Sequence, residues 1–253
     1  MIPKLHLKQL FKRFGDKIVL DGLDLAVSPG QSVVIIGASG VGKSVMLKCA
    51  LGLIALDQGQ VLVDGSDIAP LRGKDRADAL RAFGMLFQGA ALFDSLTVWE
   101  NVAFRLLNAD HAPRAQAKEQ AIEAMRRVRL APETADLRPT ELSGGMQKRA
   151  ALARAIIAKP AILFFDEPTT GLDPITADAI NDLIVEMVRE LGCSALSITH
   201  DMASARKIAD EIAMLHAGRI VWRGPAAAVD SSDDPMVDQF VHGRADGPIQ
   251  AVV

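Results

Sequence analysis

"SVVIIGASGVGKS", residues 32–44, decides how the rest of the chain is read. Residues 32–37 are a short apolar run ending in glycine, the pattern of a strand buried on both faces. Residues 37–44 match G-x-x-x-x-G-K-[ST], and a helix is expected from about Gly42 to Leu53. In that context Gly40 and Gly42 let backbone amides wrap phosphate oxygens at a positively polarised helix start. Lys43 is placed to reach the terminal phosphates, and the Ser44 hydroxyl to take a position on Mg²⁺. Gly37, Ser39 and Val45 belong to the same nucleotide-binding stretch. The motif predicts a chain that binds a nucleoside triphosphate.

Outward from the loop, residues 3–10 and 18–27 alternate apolar and polar positions, as half-buried strands do. Strands are also expected near residues 60–65 and 84–88. From about 89 to 158 the period is mostly helical, and Pro113 is well placed to start the helix of "PRAQAKEQAIEAMRRVRL". The alternation of strand and helix then resumes. "AILFFDE" reads as a strand, and the following helix puts Ile180, Leu183, Ile184, Met187, Val188 and Leu191 on one face. "SALSIT" is another strand, and "EIAMLHAGRIVWRG" reads as a tight hairpin. The simplest architecture is an α/β fold with a helical insert in a mostly parallel sheet.

With 253 residues the chain has length for a sizeable core. Its net charge of −3 does not indicate generalised attraction for nucleic acid. The arginines at 126, 127 and 129 lack interleaved aromatics and read as a solvated helix face. Cys49 and Cys193 show no C-x-x-C spacing, so buried reduced thiols are expected and not a zinc site. The N-terminus has no apolar core of signal-peptide length, and no stretch approaches the roughly 18 apolar residues that span a bilayer. A cytoplasmic location follows as an expectation. The 49% hydrophobic content hints at a surface covered by a partner.

Two further stretches carry chemistry. "ILFFDE" (162–167) ends a hydrophobic strand in adjacent carboxylates, which packing alone does not require. Asp166 is the expected Mg²⁺ partner, and Glu167 can polarise an attacking water. "SITH" ends the next strand at His200, placed to contact a γ-phosphate. Ser143 in "TELSGGMQKRAALARAI" (140–156) reads as a helix N-cap, followed by Gly144 and Gly145. A helix start built on glycines weakens the helix but lets an anion approach its amides. This is a second anion site, about a hundred residues from the first.

Over roughly residues 4–230 the chain resembles the nucleotide-binding subunit of an ABC transporter. The resemblance rests on the loop 37–44, "LFQ" with Gln88, "LSGGMQKR" at 142–149, "LFFDEP" at 163–168, "GLDP" at 171–174 and "ITHD" at 198–201, in the family's order. It implies a RecA-like P-loop NTPase core with an N-terminal antiparallel β region and an inserted helical subdomain. The expected division is 1–88 and 159–230 for the core, 89–158 for the helical insert, and 231–253 for a C-terminal extension. It further implies ATP and Mg²⁺ as cofactors and hydrolysis of ATP. Gln88 would sense Mg²⁺ and the attacking water, and Asp173 would communicate across a dimer. Phe14 would stack on adenine, with Phe11 and a plain core role as rivals. The helix at Ser143 would bind ATP held by a second, head-to-tail copy of the chain. Val45 stands where many relatives carry a hydroxyl, so one α-phosphate contact is expected to be missing. Met146 occupies a position often held by Gln.

The stretch "GMLFQGAALFDSLTVWENVAF" and the tail "DDPMVDQFVHGRADGPIQ" (233–250) look like the ATPase subunit of Mla-type phospholipid transporters. That likeness implies a separate transmembrane permease, an MCE-domain protein, a small STAS-type subunit, and attachment at the cytoplasmic face of the inner membrane. In the tail, Pro235 can start a helix with Met236, Val237, Phe240 and Val241 on one face. It either folds back on its own domain or embraces a partner ATPase. An ATPase of a solute importer is the rival within transporters. A soluble ABC ATPase of translation or DNA repair is the rival outside them, and the single domain and short insert weigh against it.

Overall fold

The computed structural model describes residues 2–250. The chain begins with strands β1 (Leu5–Phe14), β2 (Lys17–Val27) and β3 (Ser32–Ile36), then helix α1 (Lys43–Ala50). Strands β4 (Gln58–Val63) and β5 (Ser66–Asp67), helix α2 (Gly73–Leu80) and strand β6 (Phe83–Leu86) follow. Next come helices α3 (Val98–Val102), α4 (Phe104–Asn108), α5 (Arg114–Arg127) and α6 (Gly144–Ile156). Strand β7 (Ile162–Asp166), helix α7 (Pro174–Leu191), strand β8 (Ser194–Ile198) and helix α8 (Met202–Ile208) resume the alternation. Strands β9 (Glu211–His216) and β10 (Arg219–Pro225) and helix α9 (Pro235–Val241) complete it. The chain groups into two compact units, one up to Arg76 together with Ser194 onward, the other Ala77–Cys193.

In the first unit β2, β1, β4 and β5 form an antiparallel sheet in that order. Leu5, Leu7 and Leu10 of β1 and Leu20, Leu23 and Leu25 of β2 are fully enclosed or nearly so, which the alternation anticipates. β1 runs on to Phe14, past the expected residue 10, with a bulge between Leu7 and Leu10 where Gln9 has φ +50°. Strand β3 is buried at every position and pairs in parallel with β8 and β9, as its unbroken apolar run requires. The hairpin strand β10 is antiparallel to β9. Helix α1 stops at Ala50, short of the expected Leu53, because Gly52 adopts a left-handed φ of +64°.

In the second unit β6 and β7 pair in parallel, Phe83 opposite Ile162 through Leu86 opposite Phe165. The rings of Phe83 and Phe164 meet edge to face at 5.0 Å. Helix α5 buries Ala117, Ala121 and Ala124, and α6 buries Ala150, Ala151 and Ala153, so small side chains line both helices. On α7 the expected apolar face is buried from Ile180 to Val188, while Leu191 at its end is only half-buried. The expected insert 89–158 lies inside this unit, which also holds β6, β7 and α7. The three clustered arginines are ion-paired: Arg126 with Glu123 (3.3 Å), Arg127 with Glu190 (3.0 Å) and Arg129 with Glu186 (2.7 Å).

Candidate functional site

In the first unit, the turn from β3 into α1 is a chain of glycine conformations. Gly37 has φ +148°, and a Cβ there would come within 2.4 Å of the Leu215 carbonyl oxygen. Gly42 has φ +108°, and a Cβ would meet Val19 Cγ1 at 2.9 Å. Neither position admits a side chain, so the spacing of the motif follows from sterics. Lys43, only 7% exposed, turns its Nζ back onto its own loop and donates to the carbonyls of Gly37 (2.6 Å) and Ala38 (3.0 Å). No side chain caps the start of α1, and its first turn contains no acid. A cation within the loop and uncapped amides at the helix start suit a polyphosphate. Ser39 and Gly40 are exposed, whereas Ser44 and Val45 are half-buried.

His200, at the end of β8, is exposed; Thr199 before it is fully buried. Asp201 then caps α8, accepting from the Ala203 amide (3.1 Å), the Ser204 amide (3.1 Å) and the Ser204 hydroxyl (2.6 Å). Burial opposes ionisation of Asp201, but the Ser204 and Ala203 bonds and the nearby His200 outweigh it and lower its pKa. Phe14 ends β1 at 49% exposure with the Lys12 ammonium 5.2 Å from its ring centre. Phe11 is half-buried against Gly22, whose added Cβ would lie 3.2 Å from the ring. Phe14 therefore offers the more open ring of the two.

The second unit carries the acidic strand end. Asp166 closes β7 at 7% exposure and Glu167 follows at 8%, with a left-handed φ of +49°. That backbone conformation costs about 1–3 kcal/mol and is held only where surrounding bonds enforce it. The Thr170 hydroxyl donates to Glu167 Oε2 at 3.1 Å. Lys148 of α6 donates through Nζ to the Gln88 carbonyl and, at 3.4 Å, to the Glu167 carbonyl. Burial pulls the Lys148 ammonium below the usual lysine range, and the carboxylates of Asp166 and Glu167 pull the other way. The Gln88 side chain is exposed.

Ser143 caps α6, accepting from the Met146 amide at 3.3 Å, and both Ser143 and Gly144 face solvent. Gly145 has a second reason to be glycine. A Cβ there would lie 2.7 Å from Thr176 Cγ2. Thr176 cannot swing away freely, because its hydroxyl donates to Asp173 Oδ2 at 2.6 Å. Asp173 also accepts from the amides of Ile175 and Thr176 as the N-cap of α7. The Thr176 hydroxyl and amide hold the Asp173 carboxyl below the usual carboxylate range.

Lys148 lies in the motif at 142–149 without a role expected of it, Thr170 and Thr176 belong to no motif named above, and their contacts bring them to the site. One signal was available for the lysine. Lys148, Leu152 and Ile156 recur every four residues and are all buried, so the helical period places Lys148 on the apolar face.

The strand, glycine loop and helix of the first unit, with their inward lysine, define a phosphate-loop nucleotide-binding protein. The family model described as ABC transporter matches residues 20–170, and the chain belongs to that family. It is 39% identical over 236 residues to the intermembrane phospholipid transport system ATP-binding protein MlaF of Escherichia coli (strain K12), covering 93% of this chain and 87% of that one. It is 36% identical over 245 residues to the probable ribonucleotide transport ATP-binding protein mkl of Mycobacterium leprae (strain TN), covering 97% and 70%. A solved structure, the ATP-binding cassette MJ0796 as a dimer bound to ADP and Pi in a post-hydrolysis state, matches with a TM-score of 0.80 and 30% identity over 88% of this chain and 98% of that one. The chain is thus an ATP-hydrolysing, nucleotide-binding subunit.

Proposed function

We propose that the chain is the ATPase of a transporter that moves phospholipid between the membranes of a bacterial envelope. The observation that carries this reading is the 39% identity to E. coli MlaF over 93% of the chain. Among the described residues no helix is long and apolar enough to cross a membrane. In the proposed assembly a separate permease carries the lipid path. Attachment to that permease at the cytoplasmic face of the inner membrane, with an MCE-domain protein and a small STAS-type subunit, completes the proposed assembly.

Within it, two copies of the chain associate head to tail. Gly37, Ser39, Gly40, Gly42, Lys43, Ser44 and Val45 hold the phosphates, and Phe14 stacks on the adenine. Ser44, Gln88 and Asp166 would hold Mg²⁺, which when bound would neutralise phosphate charge. Glu167 polarises the attacking water and His200 contacts the γ-phosphate. Ser143, Gly144 and Gly145 bind ATP held by the other copy, and Asp173 sits at that boundary. The exposed, acid-free start of α6 supports the Ser143 assignment.

Transport of a soluble solute is the second reading, favoured by the name of the mycobacterial relative. Gentle purification of the tagged chain from membranes, with mass spectrometry of co-purifying subunits and lipids, separates the two. A permease with an MCE-domain protein and bound phospholipid is the expected result. A permease with a solute-binding protein and no lipid would replace the lipid reading, and a ribosome or DNA-repair partner would overturn both.

A further inference from the structure

Helix α6 carries one buried and one half-buried cation that hold the segment after β6 by its backbone. Lys148, 5% exposed, donates to the Gln88 carbonyl and to that of Glu167. Arg154 donates to the carbonyls of Ala90 and Ala91, each at 2.6 Å. Ala90 and Ala91 have left-handed φ values of +60° and +50°, and Glu167 has +49°. Alanine and glutamate do not favour that region, so these conformations need outside support. The same helix begins at the exposed Ser143–Gly144 end. One lysine thus joins three features that are separated in sequence: helix α6, the Gln88 segment and the acidic end of β7.

We propose that Lys148 is a positioning residue for hydrolysis, fixing the Gln88 backbone against the Glu167 backbone so that a shift of α6 moves both. This rests on the roles assigned to Gln88 and Glu167 above. Lys148 acts through two carbonyls that a neutral apolar side chain would leave without their donor. A salt bridge or simple packing role would not require both carbonyls to be addressed by one ammonium.

The test uses the full-length chain and Lys148→Met, which keeps the length and removes the donors, beside Lys148→Arg, which keeps charge and donors. Turnover, KM for MgATP, melting temperature and amide exchange over residues 88–91 are measured for each. For Lys148→Met the expected kcat is lower by about 10- to 100-fold, the cost of misplacing a group by about 1 Å, with KM changed by less than about threefold. Exchange over 88–91 should quicken while the melting temperature holds, and Lys148→Arg should recover most of the turnover. Wild-type turnover in Lys148→Met overturns the proposal. So does an equal loss in both variants with unchanged exchange, because the lysine then serves packing alone. If Lys148→Met does not fold, Lys148→Leu, which also lacks donors, replaces it, and failure of both to fold overturns the proposal, because the lysine then serves folding. Glu167→Gln is assayed in parallel. If it turns over at the wild-type rate, the assignment of Glu167 fails, and that outcome is distinct from any result with Lys148.

Discussion

Glu100 and Thr97 show how single side chains hold the second unit's short helices. Thr97 caps α3, and the Glu100 carboxylate reaches back to the Thr97 amide (2.8 Å) and hydroxyl (2.9 Å) while pairing with Arg114. The Thr97 amide first, and then Arg114, bring the Glu100 pKa from 4.5 down to about 2. A carboxylate stabilised in the folded state contributes stability above its unfolded pKa and loses it as the pH falls through the folded one. Glu100→Gln should therefore cost about 1 kcal/mol near pH 7, the usual worth of a cap. The gap to wild type should close as the pH falls from 4.5 to about 2, read from urea unfolding at a series of pH values. The capping box was present in the sequence as T-x-x-E but becomes legible only once the helix start is known. Lys43 differs, because its motif names it directly.

At the scale of elements, the starts of α6 and α7 are fitted to each other through Gly145 and Thr176. Gly145→Ala should destabilise by about 1–3 kcal/mol through overpacking, against the ~1 kcal/mol that alanine returns in helix propensity. Thr176→Ser removes the obstructing Cγ2 and keeps the bond to Asp173, so the double variant should recover most of the loss in a thermal-unfolding cycle. The sequence shows the two glycines as an anion cradle, and packing against α7 is the part it could not show, since Thr176 lies 31 residues away in sequence. Strands β3, β7 and β8 were readable because unbroken apolar runs have few other uses. In the tail, helix α9 begins at Pro235 as expected. Of the expected face Met236, Val237, Phe240 and Val241, only Val237 is fully buried, and α9 lies against Ala226–Ser231 of its own chain. The polar Gln239 is the anchor instead, donating to the carbonyls of Arg244 (3.2 Å) and Ile249 (2.9 Å) and accepting from the Ile249 amide (2.7 Å). Hydrophobic periodicity cannot find a residue buried for its hydrogen bonds. Gln239→Leu should speed tryptic cleavage after Arg244 by about tenfold, the equivalent of one or two lost buried hydrogen bonds.

For the whole molecule, the residues proposed to bind ATP divide between the two units: the phosphate loop, Phe14 and His200 in one, and Gln88, the Ser143 helix start, Asp166, Glu167 and Asp173 in the other. Each group was legible in the sequence because chemistry-bearing residues interrupt apolar runs or open helices. Of the supports around them, Lys148 is marked only by its place on the apolar face of α6, and Thr170 and Thr176 not at all, because their side-chain contacts are encoded by no local pattern. The proposed head-to-tail dimer explains why an exposed, glycine-weakened helix start is kept at Ser143. The most direct measurement is size-exclusion chromatography of Glu167→Gln with MgATP, paired with its steady-state turnover. An ATP-dependent dimer with turnover reduced at least about 100-fold is the expected result, in keeping with the loss of a general base. Wild-type turnover, or a monomer with ATP bound, would contradict it.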